Sequence, residues 1–290
     1  MDTSIHHSPS PIHLVECPRD AMQGWKHFIK TDDKIRYINS LLKVGFDTID
    51  FGSFVSPKAI PQMADTKDVI GKLQITNSKL LAIVANQRGA EEAVVYDEIT
   101  YLGFPFSISP TFQQRNTNST IEESLIRVDE IQELCIKNNK QLVVYLSMGF
   151  GNPYGDDYNE NILLYWADEM VKRDINILSL ADTVGVATPQ QISFALQTLI
   201  PKYPETVIGV HLHSTPQNLE EKLAAAVRAG CTRFDGALKG IGGCPMAQDD
   251  LVGNMNTELM IPFLEEQGLL KNLNKDALLE SLQIASEIFI

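Results

Sequence analysis

Short apolar runs alternate with amphipathic stretches along almost the whole chain. The first run, Ile12 to Cys17, reads as a strand that ends at Pro18-Arg19-Asp20. Thr31 or Asp32 then caps a helix to Val44, with Ile35, Ile38, Leu41 and Leu42 at helical spacing and Gly45 as its stop. The pattern repeats. Strands are predicted at Phe46–Phe51, Leu80–Val84, Thr100–Ile108, Leu142–Ser147, Ile175–Leu180, Ile208–His213 and Thr232–Ala237. Helices are predicted around Gln62–Lys72, Glu91–Val95, Asn159–Lys172 and Gln217–Ala229, with others opening at Ser119 or Thr120, at Thr188-Pro189 and near Asn254. Thr111 to Asn118 is predicted to be a polar loop. Alternation of this kind implies a parallel sheet with helical crossovers, and eight strand–helix repeats imply a (β/α)₈ TIM barrel. The barrel spans about residues 12–268, and Leu273 to Ile288 adds a C-terminal helix. No Gly/Ser-rich linker divides the 290 residues, so one domain is expected.

Ile208-Gly209-Val210-His211-Leu212-His213 is the strand with the most chemistry. Side chains two apart in a strand share a face, so His211 and His213 project together. That arrangement is half of a divalent-metal site; the alternative is two core histidines, each satisfied by its own hydrogen bond. Catalytic groups of such barrels sit at the carboxyl ends of the strands. There the segmentation places Arg19 and Asp20, Asp50 and Ser53, Ser147, Asp182 and Thr183, and the two histidines. Taken singly, Asp20 and Asp182 could be helix caps and Arg19 a surface cation. Together with an amide such as Asn254, Asp20, His211 and His213 supply two nitrogens and two oxygens without thiolate. That set suits Mg²⁺ or Mn²⁺ with positions left open for substrate oxygens. Gly240-Ile241-Gly242-Gly243-Cys244-Pro245 follows the last strand and presents a thiol on a glycine-rich loop, unless it is a tight turn with an incidental cysteine.

Composition narrows the class. The chain is 44% hydrophobic and 21% charged, as in globular enzymes, and 24 Lys and Arg against 37 Asp and Glu leave a net charge of −13. No basic face is available for a nucleic-acid backbone or an anionic membrane surface, so neither partner is expected. The 4 cysteines (Cys17, Cys135, Cys231 and Cys244) show no paired or zinc-knuckle spacing, and Met1 to Pro11 lacks a signal-peptide core. A reduced, cytoplasmic protein is expected.

Pro18-Arg19-Asp20-Ala21-Met22-Gln23, Ser53-Phe54-Val55-Ser56-Pro57-Lys58, Asp182-Thr183-Val184-Gly185, His211-x-His213 and Gly242-Gly243-Cys244-Pro245 resemble the 3-hydroxy-3-methylglutaryl-CoA lyases over about Ile12 to Glu258. Arg-Asp-x-x-Gln and His-x-His are shared with the isopropylmalate and homocitrate synthases; the other two loops are more particular to the lyases. The resemblance implies Asp20, His211, His213 and Asn254 as metal ligands, Arg19 as the cation that stabilises an enolate, and Cys244 as a proton-transfer thiol. It implies Asp50 in the place of a family Glu and Glu258 as a second acidic residue, with Gln23, Ser53, Ser147, Asp182 and Thr183 toward substrate. Departures are Ala21 for Gly, Trp25 for an acidic residue, Ser214 for Asp, and one extra residue between Cys244 and Asn254.

The implied reaction splits a tertiary-alcohol acyl-CoA into acetyl-CoA and acetoacetate through an enolate, with Asp20, His211 or a metal-bound water as base. The alternatives are a Claisen-type synthase joining acetyl-CoA to a 2-oxo acid, and a barrel that binds metal without turnover. The short tail after Glu258 leaves no room for a synthase's regulatory domain. A small acyl-CoA partner and a homodimer are expected.

Overall fold

In the computed structural model, which describes residues 12–243 and 252–290, eight parallel strands close on themselves in sequence order, each pairing with its neighbours and the last with the first. They are β1 (His13–Glu16), β2 (Thr48–Ser53), β3 (Lys79–Ile83), β4 (Ile99–Ser107), β5 (Gln141–Ser147), β6 (Ile177–Ala181), β7 (Val207–His211) and β8 (Arg233–Gly236). The expected TIM barrel is therefore present. The helices are α1 (Pro18–Gln23), α2 (Thr31–Leu42), α3 (Thr66–Ile70), α4 (Gln87–Ala93), α5 (Pro110–Thr117), α6 (Ile121–Lys137), α7 (Glu160–Val171), α8 (Pro189–Lys202), α9 (Leu219–Arg228), α10 (Thr257–Glu266) and α11 (Lys275–Ile288).

Local chemistry sets the helix starts. Thr120 and Glu123 form a reciprocal capping box on α6, with Glu123 N–H donating to Thr120 Oγ1 at 3.2 Å and Thr120 N–H to Glu123 Oε2 at 2.9 Å. Thr188 and Gln191 repeat the device on α8, ahead of Pro189. The predicted loop Thr111–Asn118 is instead α5. Ser109 caps it by accepting from Phe112 N–H at 3.2 Å, Pro110 occupies its first turn, and Asn118 ends it at φ 50°. Phe112 and Gln113 alone are buried in it, so an apolar stripe was lacking and periodicity could not reveal it.

Several boundaries move. β2 runs two residues further than expected and carries Ser53 as its last residue. β7 stops at His211; His213 lies beyond it, in an antiparallel bridge with Asn254. Asn254 in turn precedes α10 instead of opening it.

Side chains pointing outward from the strands meet the helices in one large apolar core. Inside, Leu81, Ile83, Tyr101, Val143, Tyr145 and Ile177 form a second, smaller cluster on the β3–β6 side. Across from it, β8 points Arg233 and Asp235 inward, while Phe234 faces the helices. The terminal helix α11 lies on α2: Ser281 Oγ meets Ser40 Oγ at 2.9 Å, and Phe289 makes edge contacts with Tyr37 and Trp25. Trp25 thus has a packing partner of its own.

Candidate active site

β1 passes directly into α1, so Arg19 and Asp20 sit at the carboxyl end of the barrel with their side chains 9% and 8% exposed. A guanidinium at such depth needs anionic partners. Arg19 Nε lies 3.0 Å from Asp50 Oδ2, Nη2 lies 2.5 Å from the same oxygen, and Nη1 donates to Asp20 Oδ1 at 2.8 Å. Of its five N–H groups, three are taken and one remains on each terminal nitrogen. Burial works against the charge on Arg19, but Asp50 and Asp20 outweigh it and hold the group above its ordinary value. Burial likewise pushes Asp50 up to about 6 against the pull of Arg19, which leaves it mainly ionised at neutral pH.

Asp20 is the meeting point. Its Oδ1 also accepts from Gln23 Nε2 at 2.8 Å, and its Oδ2 from Asn254 Nδ2 at 2.7 Å. Burial alone would raise its pKa; Arg19, then His211, Asn254 and His213, bring it down to about 2. Asn254 arrives through the backbone: Met255 N–H donates to Leu212 carbonyl and Ser214 N–H to Gly253 carbonyl, which clamps 253–255 against the His-x-His segment. Gly242, at φ +114°, packs so tightly here that a Cβ would lie 2.3 Å from Asn254 Nδ2.

His211 and His213 lie together, ring centroids 5.4 Å apart. Each has one nitrogen committed to a group that can only accept: His211 Nδ1 to Asp235 Oδ2 at 3.2 Å, His213 Nδ1 to Val252 carbonyl at 2.8 Å. Burial opposes charge on His211, but Asp235 and Asp20 outweigh it and hold the ring above its ordinary value. In the neutral form of either ring, a proton on Nδ1 leaves Nε2 as the lone-pair nitrogen. His213 is driven down to about 4 by burial and by His211, and is neutral. One donor atom from each of Asp20, His211 and His213 falls within 4.8 Å of the others, so an ionised carboxylate and two imidazoles form a possible divalent-metal site. Donor atoms of Cys17, His211 and Asp235 also lie within 4.8 Å of one another. Burial holds the Cys17 thiol well above its ordinary value, though, and a protonated thiol is a poor ligand.

A cavity of about 160 Å³ opens over this cluster. Polar Arg19, Asp20, Gln23, Ser147, Thr183, His211 and His213 line it together with apolar Ile60, Ile83, Pro105 and Phe112. Other sequence-derived candidates are placed elsewhere. Asp50 stands behind Arg19. Ser53 is buried, its Oγ accepting from Val55 N–H at 3.2 Å. Asp182 is engaged with Lys222 Nζ at 2.7 Å and Ala187 N–H at 2.9 Å. Glu258 accepts from Lys239 N–H at 2.8 Å. Cys244 lies outside the described residues.

Some contributors escaped the sequence reading. Lys222, buried on α9, ties Asp182 to the His213 carbonyl, 2.8 Å away. It sits on the inward stripe of Leu219, Leu223 and Ala226, where a lysine breaks the apolar pattern. Asp235 shares the inward face of β8 with Arg233, and that alternation was a usable signal. Phe112 and Asn116, four apart on the unpredicted α5, both line the cavity.

Comparison with known proteins gives a family model, HMGL-like, that matches residues 13–284. Hydroxymethylglutaryl-CoA lyase YngG of Bacillus subtilis is 32% identical over 284 residues, 96% of this chain and 93% of that protein. The mitochondrial hydroxymethylglutaryl-CoA lyase of Mus musculus is 31% identical over 277 residues, 94% of this chain and 84% of the relative. Among solved structures, an HMG-CoA lyase from Acinetobacter baumannii in complex with coenzyme A and 3-methylmalate superposes with a TM-score of 0.89 at 30% identity, over 96% of this chain and 91% of that one.

Proposed function

The chain belongs to the HMGL-like family, and on that premise we propose that it cleaves 3-hydroxy-3-methylglutaryl-CoA to acetyl-CoA and acetoacetate. It is an enzyme of the lyase class. The relatives that align along nearly its whole length are lyases, which favours cleavage over Claisen-type condensation. The observation that carries the reading is Arg19, pinned by Asp50 and Asp20 at the edge of a cavity on which Asp20, His211 and His213 converge.

In this mechanism the tertiary alcohol and thioester of the substrate occupy the cavity. Asp20 or His211 takes the proton of the tertiary hydroxyl, whose oxygen becomes the acetoacetate carbonyl as the carbon–carbon bond breaks. The bonding pair passes to the thioester, and the two N–H groups left on Arg19 receive its oxygen as enolate charge develops there. The ion pairs to Asp50 and Asp20 fix the guanidinium beforehand, so little reorganisation accompanies the charge shift. Gln23 and Asn254 hold the Asp20 carboxylate from either side. Ser147 and Thr183 orient the polar end of the acyl group. Cys244, reached through Gly242 and Gly243 at φ +114° and +126°, is assigned the proton delivered to the enolate carbon. Asp50 serves the site through Arg19, while Glu258, held by Lys239 N–H, stands outside the cavity lining.

The donor chemistry suits Mg²⁺ or Mn²⁺: Asp20, His211 and His213 would hold the ion, and Asn254 would join as a fourth ligand through its amide oxygen, releasing the bond its Nδ2 makes to Asp20 here. Such an ion supplies Lewis acidity toward the substrate's alcohol and carbonyl oxygens. A homodimer acting on a soluble acyl-CoA in the cytoplasm belongs to the same proposal; no described helix is long and apolar enough to cross a membrane. Incubating purified protein, Mg²⁺ and the hydroxymethylglutaryl thioester should yield acetyl-CoA and acetoacetate in equal amounts. No cleavage, with condensation of acetyl-CoA onto a 2-oxo acid instead, would replace this reading by the synthase.

A further inference from the structure

Below the histidines, inside the barrel, lies an arginine that the reaction outlined above does not use. Arg233 on β8 is 2% exposed, and its Nη2 lies 3.7 Å from Asp235 Oδ1. Its Nε and Nη2 have no hydrogen-bond partner, nor do Asp235 Oδ1, Tyr145 Oη and Ser179 Oγ. An interior guanidinium so sparsely satisfied is unfavourable, and its retention needs a reason.

The fold makes room for it. Gly209, on β7 beside Arg233, lacks the side chain that would block its path. A Cβ there would meet Arg233 Cβ and Cγ at 2.8 Å and Cδ at 2.9 Å. Gly209 is also two residues before His211, on the same inward face. A glycine in the middle of a buried strand weakens the strand unless a close approach requires it. Here the close approach is the stem of Arg233.

The geometry points to Arg233 as a positioning residue. From beneath, it holds the Asp235 carboxylate that accepts from His211 Nδ1, and so keeps His211 Nε2 aimed at Asp20 and His213. Arg233, Asp235 and His211 form a line from the barrel interior to the proposed metal site, with a contact of 3.7 Å and then one of 3.2 Å. Partners one step removed from a metal set ligand orientation and tautomer, and losing one typically weakens metal binding about 10- to 100-fold. Without Arg233, Asp235 keeps only the histidine as its partner and is free to rotate away from it. This inference rests on Asp20, His211 and His213 being metal ligands.

The test is Mn²⁺ titration by calorimetry on the wild type, Arg233→Met, Arg233→Lys, Arg233→Ala, Gly209→Ala and the double variant Gly209→Ala/Arg233→Ala, with a thermal melt of each. If the wild type binds no Mn²⁺, the metal reading itself fails. If it binds, Arg233→Met should raise the dissociation constant about 10- to 100-fold while the melt stays cooperative. Arg233→Lys, which keeps the charge on a shorter reach, should fall between. Gly209→Ala, which changes no charge and crowds the arginine stem, should weaken Mn²⁺ in an otherwise wild-type chain but add nothing where residue 233 is alanine. Should Arg233→Met not fold, Gly209→Ala decides. Wild-type Mn²⁺ affinity in folded Arg233→Met, or in Gly209→Ala, would overturn the inference, as would equal effects of Gly209→Ala with and without the arginine.

Discussion

Glu16 offers a stability test whose size follows from the structure. Its side chain is fully buried, with Oε1 accepting from Leu238 N–H at 2.8 Å and Oε2 from Thr257 Oγ1 at 2.6 Å. These contacts tie β1 to the segment after β8 and to the start of α10, which frames the loop carrying Cys244. Among the described residues no cation accompanies them, so burial pushes the carboxyl up to about 8 from an ordinary 4.5, with the two hydrogen bonds pulling the other way. A raised carboxyl binds its proton more tightly in the folded chain. Its favourable contribution is therefore complete below about pH 4.5 and declines as pH rises through about 8. The full span corresponds to about 5 kcal/mol, of which about 3 falls between about pH 6 and about pH 9. For a chain of this size that is about 5 °C in melting temperature. Glu16→Gln removes the titration while keeping an acceptor for Leu238. Melting curves of wild type and variant at the two pH values should therefore diverge, the wild type losing about 5 °C more than Glu16→Gln on going to the higher pH. Parallel losses would show that Glu16 does not titrate in this window and that the burial argument is wrong.

Arg19→Gln should lower kcat by about 10²–10³-fold with a small change in KM, because its free donors act on charge that develops during cleavage; an effect confined to KM would make it a binding cation instead. Chelation should abolish cleavage, Mg²⁺ or Mn²⁺ should restore it, and His213→Ala should weaken Mn²⁺ binding in calorimetry; full activity after chelation would sink the metal assignment. Cys244→Ser should fold and bind Mn²⁺ normally yet cleave orders of magnitude more slowly, serine being the weaker acid, and undiminished cleavage would remove the thiol from the mechanism. Lys222→Met should release Asp182 and the His213 carbonyl, leaving Asp182 buried and unpaired. A loss of about 3–5 kcal/mol in chemical denaturation is expected, and an unchanged midpoint would show the bridge to be unimportant.

Much of the fold was legible because a barrel of this kind writes itself into local pattern. Most strands are short and apolar, seven of the eleven described helices carry a side-chain cap, and Thr120 with Glu123 or Thr188 with Pro189 act within a few residues of chain. The adjacency of Arg19 to Asp20 and the two-residue spacing of the histidines were equally local. Where the local signal was thin, the reading failed. In α5, Ser109 and Pro110 marked the start, yet with Phe112 as its only buried apolar residue no stripe distinguished a helix from a polar loop. The end of β7 was misplaced because Leu212 and His213 continue the apolar alternation past the last ladder bond.

What only the tertiary structure decided are the pairings between distant residues. Asp50 stands against Arg19 across 31 positions, Asn254 against Asp20 across 234, and Glu16 against Thr257 across 241. Lys222 and Arg233 are charged residues in places where pattern alone predicts burial; the meaning of Lys222 depends on Asp182 arriving from the end of β6, and that of Arg233 on His211 arriving from β7 beside its strand-mate Asp235. Sequence alone specified which chemical groups lie at the barrel's end, because that depends on periods of two and of three to four residues. Which of them share hydrogen bonds, which stay ionised and which face the cavity depends on closure of the sheet, and closure is set by the packing of all eight strands at once.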